Sequence, residues 1–274
     1  MKAQKIFNDF SPITRSDFPA SVAAENAYNK VSNRYNFLST LQVTDSLAEV
    51  GLFPYLIQQQ GTRIEDKAGY TKHLMRFRSS GVPAIQGNVY PEVVLLNAHD
   101  RASSFTLELG LFRCACLNGL MVSFGNWGKY RIRHVASSIS DVLLAAQNIV
   151  ELFPMIESRV STMQGIALDY SQRLALAEKA MLLRWENEKQ PFQASTLLQS
   201  RRMADEGLDL WTTYNVIQEN LLKGQKNVRR YSHSGVRQHN TREIKSIDLQ
   251  MSVNKGLWEL AESFVECNPI EWKG

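Results

Sequence analysis

The 274-residue chain has three cysteines, no apolar run of about 18 residues and no complete catalytic signature. Cys114, Cys116 and Cys267 are odd in number and do not form a disulfide framework, which favours a reducing compartment. The stretch MKAQKIFNDFSPITRSDF has no apolar region typical of a signal peptide, and Arg113 and Asn118 interrupt the run GLFRCACLNGLMVSFGNW. We therefore expect a soluble cytoplasmic protein that does not associate with a membrane.

Two stretches resemble functional motifs without completing them. Cys114 and Cys116 have one residue between them, whereas redox and zinc sites use two. The stretch GNWGKY lacks the first glycine and the final Ser/Thr of a phosphate-binding loop. Elbow motifs of hydrolases, His-Glu-x-x-His and calcium loops are missing from the sequence as well. These absences favour a binding protein over an enzyme and predict no cofactor.

The positive charge of the chain is concentrated in one segment, KGQKNVRRYSHSGVRQHNTREIK, residues 223–245, called here the basic segment. It carries seven Lys/Arg and one acid, a net charge of +6, whereas the other 251 residues carry 24 Lys/Arg against 26 Asp/Glu, a net of −2. Few apolar residues and two glycines predict a mobile loop, tethered between two helices. Such a loop suits phosphate backbones or acidic surfaces.

The hydrophobic pattern predicts an α+β fold. Alternating or apolar runs such as YTKHLMRFR, PEVVLLN and SSFTLELGLF predict an antiparallel sheet meander in the first half, with flanking helices. LDLWTTYNVIQENLLKG and SDVLLAAQNIVELF, the latter capped by Ser140, predict a mostly helical second half. The predicted parts are an extended N-terminal lead-in 1–30, an α+β core 31–136, a helical part 137–222, a basic loop 223–246 and a C-terminal helix and tail 247–274.

We predict that the basic segment binds nucleic acid, with single-stranded DNA favoured. Its cations neutralise phosphates and its tyrosine stacks on a base. The predicted residues are Lys223, Lys226, Arg229, Arg230, Tyr231, Arg237, Arg242 and Lys245. Two further pairs, Arg131 with Arg133 and Arg76 with Arg78, alternate along predicted strands and would extend the track. A solvated surface loop without a ligand is the simplest alternative.

The stretch Asn97-Ala-His99-Asp100 is a weaker candidate, for a metal site. His99 and Asp100, with His73 and His134 on neighbouring predicted strands, would supply nitrogen and oxygen ligands. The spacing matches no established metal pattern, and Asn and Asp are favoured in turns for their local hydrogen bonds. The sequence therefore favours a turn here and predicts no bound metal.

Several stretches together resemble a family of phage- and plasmid-like proteins that contain a domain of unknown function. They are KHLMRFR, PEVVLLNAHDRASSF, GLFRCACLNGLMV, LDLWTTYNVIQENLLKG and NKGLW, and the resemblance spans roughly residues 31–260. It implies a mobile genetic element but no activity. The turn of that family usually reads His-Asp-Gly, and Arg101 replaces the glycine here, which weakens the expectation of a positive φ at this position.

The order of the predicted elements is also similar to that of Red-beta/Erf-type single-strand annealing proteins. That similarity implies a homo-oligomer or ring that holds single-stranded DNA along a basic groove. The leading hypothesis is thus a protein that binds or anneals single-stranded DNA during replication or recombination of a mobile element. One alternative is an inhibitor that binds a host defence protein, since an Arg-rich loop with aromatics suits an interface. The other is a metal-dependent nuclease or phosphodiesterase using His99 and Asp100.

Overall fold

The structure is a computed structural model that divides after Pro154 into two compact units. The first unit holds an antiparallel sheet with helices, and the second holds helices and a two-stranded hairpin, so the predicted α+β class is confirmed. The described residues are 4–7, 11–31, 35–80, 84–85, 89–113, 118–121, 128–132, 138–186, 190–225, 228–232 and 235–267.

The sheet of the first unit has seven strands in the order β1-β2-β3-β4-β5, and β5 pairs with both β6 and β7. Their bounds are β1 Gln4–Phe7, β2 Leu52–Gln59, β3 His73–Ser79, β4 Val89–Asn97, β5 Phe105–Arg113, β6 Asn118–Met121 and β7 Lys129–Ile132. The alternating and apolar runs predicted as strands form β3, β4, β5 and β7. The lead-in predicted as extended contributes β1, which pairs with β2.

One face of this sheet forms the core of the first unit. On this face, six residues of β3, β4 and β5 are paired with one another across the strands. All six side chains are fully buried: Met75, Phe77, Val93, Leu95, Leu107 and Leu109. Burying each such side chain contributes about 1.5–3 kcal/mol to folding. Helices α1 (Thr40–Glu49) and α2 (Ile139–Val150) pack against each other and against the sheet, and the Thr44 hydroxyl lies 3.8 Å from the Met75 sulfur.

Both helices begin at serine caps. The Ser39 hydroxyl accepts a hydrogen bond from the Gln42 amide, and Gly51 beyond the end of α1 has a φ of 83°. The cap of α2 is Ser138, not the predicted Ser140, because Ser138 and Asp141 form a reciprocal capping box.

The second unit is built around a buried helix. Its helices are α3 Phe153–Gly165, α4 Tyr170–Leu182, α5 Leu210–Lys223 and α6 Ile247–Cys267. Both α4 and α6 contact α5, whose residues are buried almost throughout, and the Tyr214 ring meets the Trp258 ring edge-on at 5.9 Å. Between α4 and α5 lie two 3₁₀ turns, Ala194–Leu198 and Met203–Asp205.

The basic segment, predicted as an irregular loop, contains an antiparallel hairpin. Strands β8 (Val228–Ser232) and β9 (Gly235–His239) pair only with each other among the described strands. We call residues 228–239 the basic hairpin. A count of charges does not indicate these strands. Each strand contains a β-branched valine, and β8 also contains a tyrosine, and residues of both kinds favour strands.

The helical stretch Ile139–Gly165, which comprises α2, a turn and α3, is long and apolar enough to cross a membrane by length and composition alone. A core helix of a soluble protein passes the same test. In α2 the apolar stripe of Val142, Ala145, Ala146 and Ile149 is buried.

The turn after β4 carries one backbone feature that contradicts the sequence expectation. Arg101 has a φ of 67°, in the left-handed region, so the position does adopt the conformation that glycine tolerates best. For other residues this conformation costs roughly 1–2 kcal/mol.

We predict that Arg101→Gly raises the free energy of unfolding by about 1 kcal/mol, because glycine removes the Cβ strain at a positive φ. The Arg101 side chain is exposed, so little packing is lost. Urea unfolding followed by tryptophan fluorescence measures the change. The control, Arg101→Ala, keeps the Cβ and leaves stability within about 0.5 kcal/mol of wild type; an equal gain for alanine would contradict this account.

Candidate nucleic-acid interface

The hairpin arranges the predicted arginines in a fixed registry. The five cross-strand pairs are Val228 with His239, Arg229 with Gln238, Arg230 with Arg237, Tyr231 with Val236 and Ser232 with Gly235. The structure thus brings four predicted residues, Arg229, Arg230, Tyr231 and Arg237, onto one two-stranded ribbon. A ribbon of this kind presents side chains alternately on its two faces.

The base of the hairpin is closed by backbone contacts. Helix α5 ends at Gly224, whose φ of 73° turns the chain out of the helix, and a Cβ at this position would lie 2.4 Å from the Thr241 carbonyl oxygen. The Thr241 amide donates to the Gln225 carbonyl at 2.9 Å, and its hydroxyl accepts from the Gln225 amide at 2.8 Å. The Ile244 amide donates to the Leu222 carbonyl at 2.9 Å. Both ends of the hairpin are therefore held together.

Two arginines outside the basic segment reinforce this closure. The Arg184 guanidinium donates to the carbonyl oxygens of Leu221 and Arg242, one on each side of the hairpin. Arg201 donates to the Gly224 carbonyl at 2.5 Å. Burial lowers the pKa of Arg184 from its ordinary value, although it remains far above neutral. Sequence reasoning missed both residues, since nothing in their local pattern indicates a partner 23 to 58 positions away.

Lys223 lies at the end of α5 in an ion-pair cluster. Its ammonium group is 2.8 Å from Glu219, which also accepts two bonds from Arg202; Arg202 in turn lies 2.6 Å from Asp205. Burial acts most strongly on Glu219 and raises its pKa, but the bonds from Arg202 and Lys223 outweigh it and leave the pKa below its usual value. The charge of Lys223 is matched within the protein, which removes this residue from the predicted phosphate track.

The remaining predicted residues of the basic segment fall at its two ends. Arg242 and Lys245 are exposed where the chain leaves the hairpin. Lys226 lies outside the described residues. Arg242 and Lys245 therefore follow the hairpin directly in the chain, next to the base that Arg184 holds in place.

Arg76 and Arg78 do not extend the track. They are 3% and 4% exposed, and both donate to Glu92 on the adjacent strand, Arg78 at 2.9 Å. Three aromatic rings lie 4.4–4.7 Å from the Arg78 guanidinium: those of Tyr55, Tyr90 and Phe112. Their alternation along the strand predicts a solvent-exposed face, but both arginines lie inside the first unit and neutralise a buried carboxylate.

Arg131 is exposed on β7, opposite Thr106 of β5, so its predicted role in binding stays a prediction. Its neighbour on the same strand, Lys129, lies 3.2 Å from the carboxylate of Glu108. Arg133, the other member of the predicted pair, lies outside the described residues.

Two of the candidate metal ligands belong to a buried hydrogen-bond network centred on Thr40. The Thr40 hydroxyl lies 2.9 Å from His73 Nε2 and 3.2 Å from His99 Nε2, and it accepts from Asn97 at 3.0 Å. His73 Nδ1 faces the Thr71 carbonyl, which only accepts, so this nitrogen carries the proton. Nε2 of His73 then accepts from Thr40, and Nε2 of His99 donates to it.

This network ties α1 to the ends of β3 and β4 and has the chemistry of a structural cluster. Asp100, the third candidate, forms an ion pair with Lys67 at 3.2 Å and accepts from the Ala102 amide, as the turn interpretation predicts. Within the part of the chain that the structure describes, no group of three or more His, Cys, Asp or Glu is suited to a metal ion. His134, the fourth candidate, lies outside that part.

Comparisons with known proteins relate the chain to one family. A family model described as Domain of unknown function (DUF932) matches residues 27–258. The UPF0380 protein YafZ of Escherichia coli strain K12 is 36% identical over 257 residues, which cover 93% of this chain and 92% of the relative. The UPF0380 protein YfjQ of the same strain is 35% identical with the same coverage. No solved structure shows a significant match.

We predict that acid weakens the first unit through His73. Burial lowers the pKa of His73 to about 4, so between pH 6.5 and 4 the unfolded chain binds a proton that the folded chain excludes. Stability is then full above pH 6.5 and falls by about 3 kcal/mol as the pH drops to 4. Urea unfolding across this range measures it. In His73→Gln, which has no titrating ring, the fall is smaller by that amount; identical pH profiles would refute the assignment.

We predict that Gly224→Ala costs more than about 2 kcal/mol of stability, since it combines positive-φ strain with a backbone collision at the hairpin base. The matched control is Gly235→Ala at the hairpin tip, where φ is 113° but a Cβ would meet nothing within 4 Å. That variant carries the φ strain alone and loses about 1 kcal/mol. Chemical denaturation compares the two, and equal losses would show that the close approach to Thr241 is unimportant.

Proposed function

We propose that this chain, which belongs to the DUF932 family, is a nucleic-acid-binding protein that holds single-stranded DNA on its basic hairpin. The observation that carries the proposal is the coincidence of two features. The excess positive charge of the chain lies in residues 223–245, and the middle of that segment is a hairpin closed at its base.

The charge distribution supports a polyanionic ligand. A segment of net charge +6 on a chain otherwise at −2 attracts phosphates while the remaining surface repels them, which orients the ligand toward the hairpin. Each strand of the hairpin has five residues and runs about 16 Å. The length and charge of the hairpin therefore suit a short stretch of a polyanionic strand.

Tyr231 favours a single strand over a duplex. It follows Arg229 and Arg230 in β8, so an aromatic residue lies next to the cations in the sequence. Unpaired bases expose π faces on which such a ring stacks, at about 1–3 kcal/mol per base, whatever the base. We therefore expect little dependence on sequence, because phosphate contacts and stacking do not distinguish the bases.

The biological setting we propose is replication or recombination of a phage or conjugative plasmid in the cytoplasm. It rests on the sequence resemblance to proteins of mobile elements. Strand annealing by a ring of subunits is the more specific form of the proposal, and it rests only on the similarity to Red-beta/Erf-type proteins suggested by the order of the elements predicted from the sequence. The proposed setting and the proposed annealing activity both require that the chain binds single-stranded DNA.

The proposal is tested by titrating a labelled oligothymidine of 30 nucleotides at several salt concentrations, with fluorescence anisotropy as the readout. Besides Lys223, which pairs with Glu219, the basic segment has six proposed phosphate-binding cations, and six contacts on a single strand predict a log–log salt slope of about −4. Arg229→Ala/Arg230→Ala flattens this slope by about one to two and weakens binding at all salt concentrations.

The matched control removes two exposed cations elsewhere, in Arg63→Ala/Lys179→Ala. This variant has the same net charge as the hairpin variant and keeps wild-type affinity and slope. A duplex of the same sequence, included in parallel, binds more weakly than the single strand. If the wild type fails to bind either form at 50 mM salt, or if the two double variants lose affinity equally, the proposed function is wrong.

A further inference from the structure

Arg201 holds the base of the basic hairpin with one edge of its guanidinium group. Its Nε donates to the side-chain oxygen of Asn220 at 2.9 Å, and its Nη2 donates to the Gly224 carbonyl at 2.5 Å. We propose that the other edge, formed by Nη1 and the second hydrogen of Nη2 and called here the outer edge, binds one phosphate group of the nucleic-acid backbone. The proposal rests on the nucleic-acid-binding function above and adds to it a residue outside the basic segment.

The outer edge has the geometry that a phosphate requires. The N–H donors of a guanidinium lie in one plane and form separate pairs along its edges. The bonds to Asn220 and Gly224 use the pair on the side of Nε, so the parallel pair on the outer edge remains for two oxygens of one phosphate. Arg201 is exposed, and within the part of the chain that the structure describes it forms no ion pair.

Two other arginines at the hairpin base use the same edge within the protein. Arg202 places both Nη atoms on the carboxylate of Glu219, at 2.6 and 2.8 Å. Arg184 places both Nη atoms on backbone carbonyl groups, one on each side of the hairpin. Of these three arginines, Arg201 is therefore the one whose outer edge is available to a ligand.

The fold fixes the position of Arg201 before a ligand arrives. Asn220 is 1% exposed, and its amide nitrogen donates to the carbonyl oxygens of Leu197 and Gln199, each at 2.9 Å. These bonds turn the amide oxygen of Asn220 toward Arg201. A guanidinium held at both Nε and Nη2 loses little further rotamer freedom when it binds a phosphate, so the entropy cost of ordering a long side chain is small at this position.

A second unmatched cation lies beside this site. The Gly224 carbonyl accepts from Arg201, and a Cβ at Gly224 would lie 2.9 Å from the carbonyl oxygen of Arg242. Arg242 is exposed and, among the described residues, has no ion-pair partner. Glu243, the exposed acid that follows it, leaves the two arginines in excess. The closed base therefore places Arg242 of the basic segment close to Arg201, and the positive potential there favours a phosphate.

The site is tested by measuring the affinity for the 30-nucleotide oligothymidine over a range of salt concentrations. A phosphate on Arg201 adds a seventh contact, so the salt slope of the wild type is about −5 rather than about −4. Arg201→Ala weakens binding by about tenfold, the size of one charged hydrogen-bonding contact, and flattens the slope by about 0.7. Arg201→Lys keeps the charge and the slope but recovers only part of the affinity, because an ammonium group lacks the planar pair of donors.

Two controls separate phosphate binding from other effects. Arg63→Ala removes an exposed arginine of the first unit and keeps the affinity and slope of the wild type. Thr241→Val removes the hydroxyl that accepts from the Gln225 amide, so it loosens the hairpin base without a change of charge and leaves the slope unaltered. Circular dichroism melts confirm that every variant is folded, and Arg201→Gln replaces Arg201→Ala if the latter is not.

The possible outcomes distinguish the site from the function on which it rests. If the wild type binds but Arg201→Ala behaves like Arg63→Ala, or weakens binding without flattening the slope, the phosphate site is wrong and the proposed function stands. Competition by inorganic phosphate at constant ionic strength that disappears in Arg201→Ala would also overturn the proposal, because the site would then take a free phosphate. If the wild type does not bind the oligothymidine at low salt, the proposed function fails and the site fails with it.

Discussion

The guanidinium group of Arg184 bridges the carbonyl oxygens of Leu221 and Arg242, and the position of the basic hairpin depends on this bridge. The last carbonyl groups of any helix have no partner within the helix, and those of α5 point toward the start of the hairpin. A cation at this end is also favoured by the helix dipole. One side chain therefore satisfies the end of α5 and ties it to the returning strand. The same geometry explains why an arginine is used, since a lysine ammonium lacks the planar pair of donors that spans two acceptors.

The first unit uses arginine in the opposite way. Arg76 and Arg78 both form ion pairs with Glu92 inside the first unit, and the Arg78 guanidinium also lies over an aromatic ring. Other cations outside the hairpin are also matched: Lys67 with Asp100, Lys129 with Glu108, Arg159 with Glu262 and Arg202 with Glu219. This matching agrees with the net charge of −2 outside the basic segment. The basic segment itself contains one acid, Glu243. The formal charge of +4 thus combines a segment at +6 with a remainder at −2.

Local patterns predicted those parts of the fold that local physics decides. The apolar runs of β4 and β5 and the stripe of α5, ended by Gly224, need no tertiary information, and the structure confirms them. Strand β2 went unpredicted because Pro54 and the two glutamines at its end resemble a loop, while pairing on both sides makes them a strand. The burial of Arg76 and the choice of Ser138 as the cap depend on neighbouring residues in the folded chain, which the local sequence pattern does not identify. For the candidate site, composition located the charge, but the hairpin registry and the role of Arg184 arise from contacts between distant residues.

A preformed hairpin also lowers the entropy cost that any ligand of this segment would have to offset. Ordering a residue of a mobile loop costs about 1–2 kcal/mol, so a loop of more than 20 residues would lose most of its binding energy on becoming ordered. A two-stranded hairpin alone is marginally stable in water, and opposed arginines weaken it further. The contacts of Arg184, Arg201 and Gly224 at the base offset part of that cost before any ligand arrives. Binding and hairpin stability are then linked, so a ligand that prefers the closed hairpin stabilises it by the same free energy with which the hairpin favours the ligand.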